Sequence, residues 1–171
     1  MKTRMLPVVA ALTLALLSQV SFAHDEHAHG HDSDAIGKPG LATASTRTVN
    51  VTMTDNMRFT PSNITAKQGE TIRFVIKNAG GIKHEFVLGT EKELKEHYEL
   101  MKKYPEMEHS DPNMITLAGG QSGEVVWQFT KAGKIDFACL QPGHYDAGMK
   151  GKVSVAKGKA AADAGAHEHQ H

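Results

Sequence analysis

The chain has 171 residues, 40% of them apolar, and its 19 basic side chains are balanced by 19 acidic ones. That is about one domain's worth of sequence. With no basic excess and no basic patch, nucleic acid is not an implied partner.

The first element in chain order is an export signal. Lys2 and Arg4 give a positive start, Leu6 to Leu17 is apolar apart from Thr13, and Ser21-Phe22-Ala23 offers a small-x-small cleavage site. This pattern predicts a secretory signal peptide over residues 1–23, cut after Ala23, and a periplasmic mature protein. The apolar stretch falls short of the roughly 20 residues needed to span a bilayer, and nothing later in the chain approaches that length. No stable membrane insertion is expected after cleavage. Without Lys2 and Arg4, 17 basic side chains face 19 acidic ones, a formal net charge of −2. Export matters for Cys139, the one cysteine. It cannot form an internal disulfide, so in an oxidising compartment it is intermolecular, buried and inert, or else a ligand or nucleophile.

Residues 24–45 and 157–171 read as mobile tails with too little apolar content to pack. The first carries His24, His27, His29 and His31, and the second His167, His169 and His171. Such histidine-rich composition is the mark of loose metal binding.

Between the tails, residues 46–156 read as one β domain. Val49, Val51 and Met53 alternate with polar residues, as do Ile72, Phe74 and Ile76, and then Val125, Trp127 and Phe129. Period-two alternation marks half-buried strands. Gly69-Glu70, Asn78-Ala79-Gly80-Gly81, Gly119-Gly120 and Ala132-Gly133 are turn signals between them. Short strands at this spacing predict an antiparallel, all-β sandwich. One stretch differs. Leu94, Tyr98 and Met101 recur at helical spacing within Glu91 to Tyr104, Thr90 stands where an N-cap would, and Pro105 closes the segment. One helix is expected there, inserted between strands.

The segment from Phe137 to Met149 carries the chemistry. It places a thiol (Cys139), an imidazole (His144) and a thioether (Met149) five residues apart, with Pro142, Gly143 and Gly148 allowing tight turns. Thiolate, imidazole and thioether suit copper in both oxidation states, and a blue-copper site adds a second histidine. His84, between the Gly80-Gly81 turn and the apolar run Phe86-Val87-Leu88, is the best candidate. His97 lies among helix charges and is expected to face solvent. His109 lies in a polar loop. Two alternatives stay open on the residues alone. Zinc competes, although it favours strong N, S or O ligands over a methionine. A Cys139 nucleophile with His144 as its base also competes, but gives Met149 no role.

Residues from about Val49 to Val155 resemble the cupredoxins. Met57-Arg58-Phe59-Thr60-Pro61, followed by Ile64 to Ile72, looks like that family's second and third strands. Cys-x4-His-x4-Met is similar to the rusticyanin-type ligand loop. The resemblance implies a Greek-key β-sandwich and one type 1 copper held by His84, Cys139, His144 and Met149. One departure is Glu85, where many cupredoxins have an asparagine that ties the two ligand loops together. The nearer resemblance is to periplasmic copper-tolerance cupredoxins of the CopI type, which add histidine- and methionine-rich segments. Here Met101, Met107, His109 and Met114 lie around the inserted helix and could bind further copper. Core packing is the competing explanation for Met101, whereas Met107 and Met114 lie in polar loop sequence.

Three functions follow as expectations. The first is copper tolerance with a Cu(II)/Cu(I) site. The second is a soluble electron carrier, reduced by a periplasmic partner such as a cytochrome, with the edge of His144 as electron exit. The third, an independent copper oxidase or nitrite reductase, needs further copper on ordered His-x-His pairs, and here those occur only in the tails. A monomer that is not itself an enzyme is therefore expected.

Overall fold

The computed structural model describes residues 33–107 and 109–158. The expected signal peptide and, of the two expected histidine-rich tails, residues 24–32 and 159–171 lie outside the described residues. Among those described, no helix is long and apolar enough to cross a membrane.

After a single helical turn, α1 (Ser33–Ile36), the chain forms β1 (Lys38–Pro39), β2 (Arg47–Thr54), β3 (Arg58–Thr60), β4 (Asn63–Lys67), β5 (Thr71–Asn78) and β6 (His84–Gly89). The helix α2 (Glu91–Lys103) follows, then β7 (Met114–Leu117), β8 (Ser122–Gln128), β9 (Gly133–Ala138) and β10 (Lys150–Ala156). The strands form two five-stranded sheets, in the orders β1-β8-β5-β2-β3 and β4-β10-β9-β6-β7. The pairing is mixed rather than wholly antiparallel, because β2 runs parallel to β5 and β4 parallel to β10. Alternation alone reports which face of a strand is buried, and not the direction of its neighbour.

The alternating residues face inward as their spacing predicts. Val51, Met53, Ile72, Phe74, Ile76, Val125 and Trp127 of the first sheet meet Ile64, Phe86, Leu88, Ile135, Phe137, Val153 and Val155 of the second. β6 departs from alternation, with all six residues buried. The reason is α2, which packs on the outer face of β6 and β9. Val87 faces Leu94, Tyr98, Met101 and Met114 on that side, while its neighbours Phe86 and Leu88 point into the sandwich. The start of α2 is fixed by a capping box, in which the Thr90 hydroxyl accepts from Glu93 N–H and the Glu93 carboxylate accepts from Thr90 N–H.

Part of the stretch expected to be a tail is packed. Ile36 is buried, and its carbonyl accepts the Trp127 indole N–H at 2.8 Å. Gly37, with φ near +110°, brings the chain so close that a Cβ there would sit 2.1 Å from the Gln128 carbonyl oxygen. A single apolar residue held by one deep hydrogen bond is too small a signal for composition to reveal. Trp127→Phe removes that donor and leaves a buried carbonyl unpaired, which should cost about 1–3 kcal/mol. Urea unfolding of the variant, with limited proteolysis around residues 33–40, checks it. Unchanged stability and unchanged protection would show that the anchor does not hold this segment.

Candidate metal centre

Two pieces of the second sheet build the site. β6 begins at His84, opposite Leu117 of β7. β9 ends at Ala138, so Cys139 is the first residue of the loop that returns the chain to β10 at Lys150. Because β9 and β10 are antiparallel neighbours, with Ala138 opposite Lys150, this loop is closed at its neck. There Cys139 N–H donates to the Met149 carbonyl at 3.1 Å, and Met149 N–H donates to the His144 carbonyl at 3.0 Å. Gly143 and Gly148 turn the loop with φ near +85° and +89°, a region that side chains disfavour.

The result is convergence. Cys139 Sγ lies 3.2 Å from His144 Nδ1 and 3.9 Å from His84 Nδ1, and the two Nδ1 atoms are 3.1 Å apart. His84 and Cys139 are fully buried and His144 is half-buried. Met149, the fourth residue expected from sequence, is fully buried at the loop neck. Among the described residues, no second group of three His, Cys, Asp or Glu donors converges in this way.

Burial pushes the Cys139 thiol up to about 12, against the opposing pull of the Glu85 and Gln141 backbone N–H groups. Burial also lowers the His144 imidazole, as does the neighbouring His84. Cys139 therefore keeps its thiol proton at neutral pH, and a metal that takes the thiolate displaces that proton. A soft sulphur beside two imidazole nitrogens fits copper.

Glu85 takes over the cross-link that the sequence left in doubt. Its backbone N–H donates to Cys139 Sγ at 3.3 Å. Its Oε1 accepts from Gln141 Nε2 at 2.6 Å and from Thr116 Oγ1 at 3.2 Å, joining β6 to the ligand loop and to β7. From the other side, the Tyr98 hydroxyl on α2 accepts from Gly143 N–H at 3.0 Å and donates to Asp146 at 2.8 Å. The inserted helix therefore grips the loop that carries His144. Helical spacing marked Tyr98 only as a core residue, and nothing in the sequence announced what its hydroxyl would reach.

Asp55, in the turn after β2, was also not legible. His84 Nε2 lies 3.0 Å from Asp55 Oδ1, while Gly81 N–H donates to Oδ2 at 2.8 Å. The Gly81 N–H is the main reason the Asp55 carboxyl sits below its ordinary value.

The methionine- and histidine-rich insertion is only partly brought together. Met101 and Met114 pack in the cluster between α2 and the sheet, so Met114 is a buried strand residue and not part of a polar loop. Met107 is exposed. His97 does not face open solvent, because its ring lies against that of His109 with centroids 4.5 Å apart and both residues are half-buried.

Residues 45–156 match the copper binding proteins of the plastocyanin/azurin family. This chain belongs to that family. It is 53% identical to the copper-resistant cuproprotein CopI of Rubrivivax gelatinosus over 86% of this chain and 92% of the relative. It is 36% identical to the protein of the same name in Pseudomonas aeruginosa, over 89% of this chain and 97% of that one. Among solved structures it is similar in fold to auracyanin B, with a TM-score of 0.58, 23% identity, and coverage of 71% of this chain and 96% of the other. The all-β cupredoxin sandwich with one inserted helix, and copper as its cofactor, are thus established. The structural likeness by itself speaks only for the fold.

Proposed function

We propose that this protein is an exported, periplasmic cupredoxin that contributes to copper tolerance by holding one redox-active copper on His84, Cys139, His144 and Met149. The observation that carries this reading is the convergence of one buried sulphur and two imidazole nitrogens, all within 4.8 Å. The identity to copper-resistant cuproproteins over most of the chain supports the physiological half of the reading. A copper ion in this pocket supplies a one-electron couple. The protein's part is to keep the donors where both oxidation states accept them. Cys139 is fixed by the loop neck and by Glu85 N–H, His144 by the grip of Tyr98 on Gly143, and His84 by its place at the start of β6. A pocket that does not rearrange keeps electron transfer fast. Deleting the gene should make cells sensitive to copper, and the wild-type gene should restore growth while a Cys139→Ser copy does not. Unchanged growth of the deletion strain under copper stress would overturn this reading.

One observation favours a second role, soluble electron transfer. Of the three converging donors, only His144 reaches the surface, so its edge is the natural exit for an electron. Rapid reduction by a periplasmic cytochrome would support this role, and it is compatible with the first if the electron derives from Cu(I).

A further inference from the structure

The geometry points to Asp55 as the positioning residue that sets the donor strength of His84, and through it the balance between Cu(II) and Cu(I) at the site. This inference rests on His84 being a copper ligand, as proposed above.

An imidazole can offer only one nitrogen lone pair to a metal, and the other nitrogen then carries a proton that needs an acceptor when buried. His84 is fully buried, so water does not supply that acceptor. Its Nδ1 faces Cys139 and His144, and its Nε2 lies 3.0 Å from Asp55 Oδ1. The carboxylate therefore selects the tautomer with the proton on Nε2 and the lone pair on Nδ1, toward the pocket. A full negative charge behind the ring also makes Nδ1 a richer donor than a neutral acceptor would. A richer donor favours the more highly charged Cu(II).

The contact is constructed from several parts of the fold. Asp55 follows β2 of one sheet and His84 opens β6 of the other, 29 residues on. The Gly80-Gly81 turn wraps the carboxylate, with Gly81 N–H donating to Oδ2. Gly80 leaves the space the carboxylate occupies, since a Cβ there would lie 1.8 Å from Asp55 Oδ1. The side chain is nevertheless 46% exposed. The charge is thus partly screened by solvent, so the donated hydrogen bond, more than bare Coulomb attraction, is the channel of its influence.

Four variants test this in the full-length protein loaded with copper, read by spectroelectrochemical potential and by Cu(II) affinity in competition with a chelator. Asp55→Asn keeps size and an acceptor oxygen but removes the charge, and should raise the potential while the Cys139-dependent visible band persists. Asp55→Ala removes both, and should raise the potential and weaken Cu(II) binding by about 10- to 100-fold. Gly80→Ala keeps the charge but displaces the carboxylate, and should raise the potential as well. Glu96→Gln removes an exposed carboxylate on α2 and should match wild type. Potentials and affinities of the Asp55 variants equal to wild type would overturn the proposal. So would a rise in Asp55→Asn with none in Gly80→Ala, because charge without contact would then suffice. If Asp55→Ala fails to fold, the asparagine and Gly80 variants still decide. Absence of the visible band in wild type would instead remove His84 as a ligand and this role with it. A normal wild-type band with unmoved potentials removes the Asp55 role alone.

Discussion

Titration of wild-type protein with Cu(II) should produce a strong visible charge-transfer band and a matching paramagnetic-resonance signal, and Cys139→Ser should lose the band completely. Cys139 is the one cysteine in the chain, so no other thiolate can replace it. A serine hydroxyl is a hard oxygen that stays protonated at neutral pH and is a poor partner for Cu(I). The variant should still fold. Serine is nearly the same size as cysteine, and Glu85 N–H, which donates to Sγ at 3.3 Å, can donate to a hydroxyl instead. Unfolding therefore does not explain the loss, and near-wild-type circular dichroism and thermal transition in the metal-free variant check this. The protonated thiol, raised to about 12 by burial, adds a second observable. Copper taken up below that pH displaces the proton, so binding to wild type should release one proton that Cys139→Ser does not. Absence of the band in wild type would sink the type 1 assignment outright. A metal count on the same samples reports separately how many ions the histidine-rich ends add.

The sequence conveyed the ligand candidates because they are concentrated. One cysteine, a histidine and a methionine at equal spacing in a Gly- and Pro-bearing loop form a local pattern, and the β9–β10 loop closes around it as a short hairpin connection would. The strands β2, β5 and β8 were legible for a similar reason, since each has one face in the core and one toward solvent. β6 was not readable by alternation, because α2 covers its outer face and removes the polar positions that period two needs. Nor could alternation give the parallel pairing of β2 with β5. The groups that tune the centre escaped for a different reason. Asp55 and Thr116 reach the site from separate segments and carry no spacing relative to the ligands, and Gln141, two residues after Cys139 in the ligand loop, shows nothing in its spacing of the Glu85 carboxylate that it meets. Glu85 departs from the asparagine that many cupredoxins carry there, yet only the folded geometry shows the longer side chain bridging Gln141 and Thr116.

These contacts describe a site held from several directions. Asp55 comes from one sheet, Glu85 and Thr116 from the other, and Tyr98 from the inserted helix. Asp55 meets His84, the Glu85 backbone meets Cys139 and Tyr98 meets the loop at Gly143, while Thr116 braces the Glu85 carboxylate. The helix thereby acquires a role besides covering β6, because its tyrosine binds the backbone of the turn before His144.

Phe86→Ala should be the most damaging core substitution, costing about 3–5 kcal/mol of folding free energy in the metal-free protein. Phe86 is fully buried on β6, two residues from His84. Its ring meets Phe137 at 5.1 Å, Phe74 at 5.4 Å and Phe59 at 6.0 Å, so it joins rings contributed by both sheets. Alanine removes the apolar surface and leaves a void whose lining cannot fully collapse, because Phe59 and Phe137 are already locked edge to face at 5.1 Å. Against a typical domain stability of about 5–15 kcal/mol, a loss of this size leaves a marginal fold. Denaturant unfolding should be followed without copper, since ligand at about 100 times its dissociation constant would restore about 2.7 kcal/mol and mask the effect. Phe86→Leu, which keeps most of the volume, should lose clearly less. The same void lies beneath the start of β6, so the alanine variant should also bind copper more weakly even where it remains folded. A loss below about 1 kcal/mol would mean that the ring cluster closes over the gap, and that the two sheets do not depend on this contact to hold the ligand strand in place.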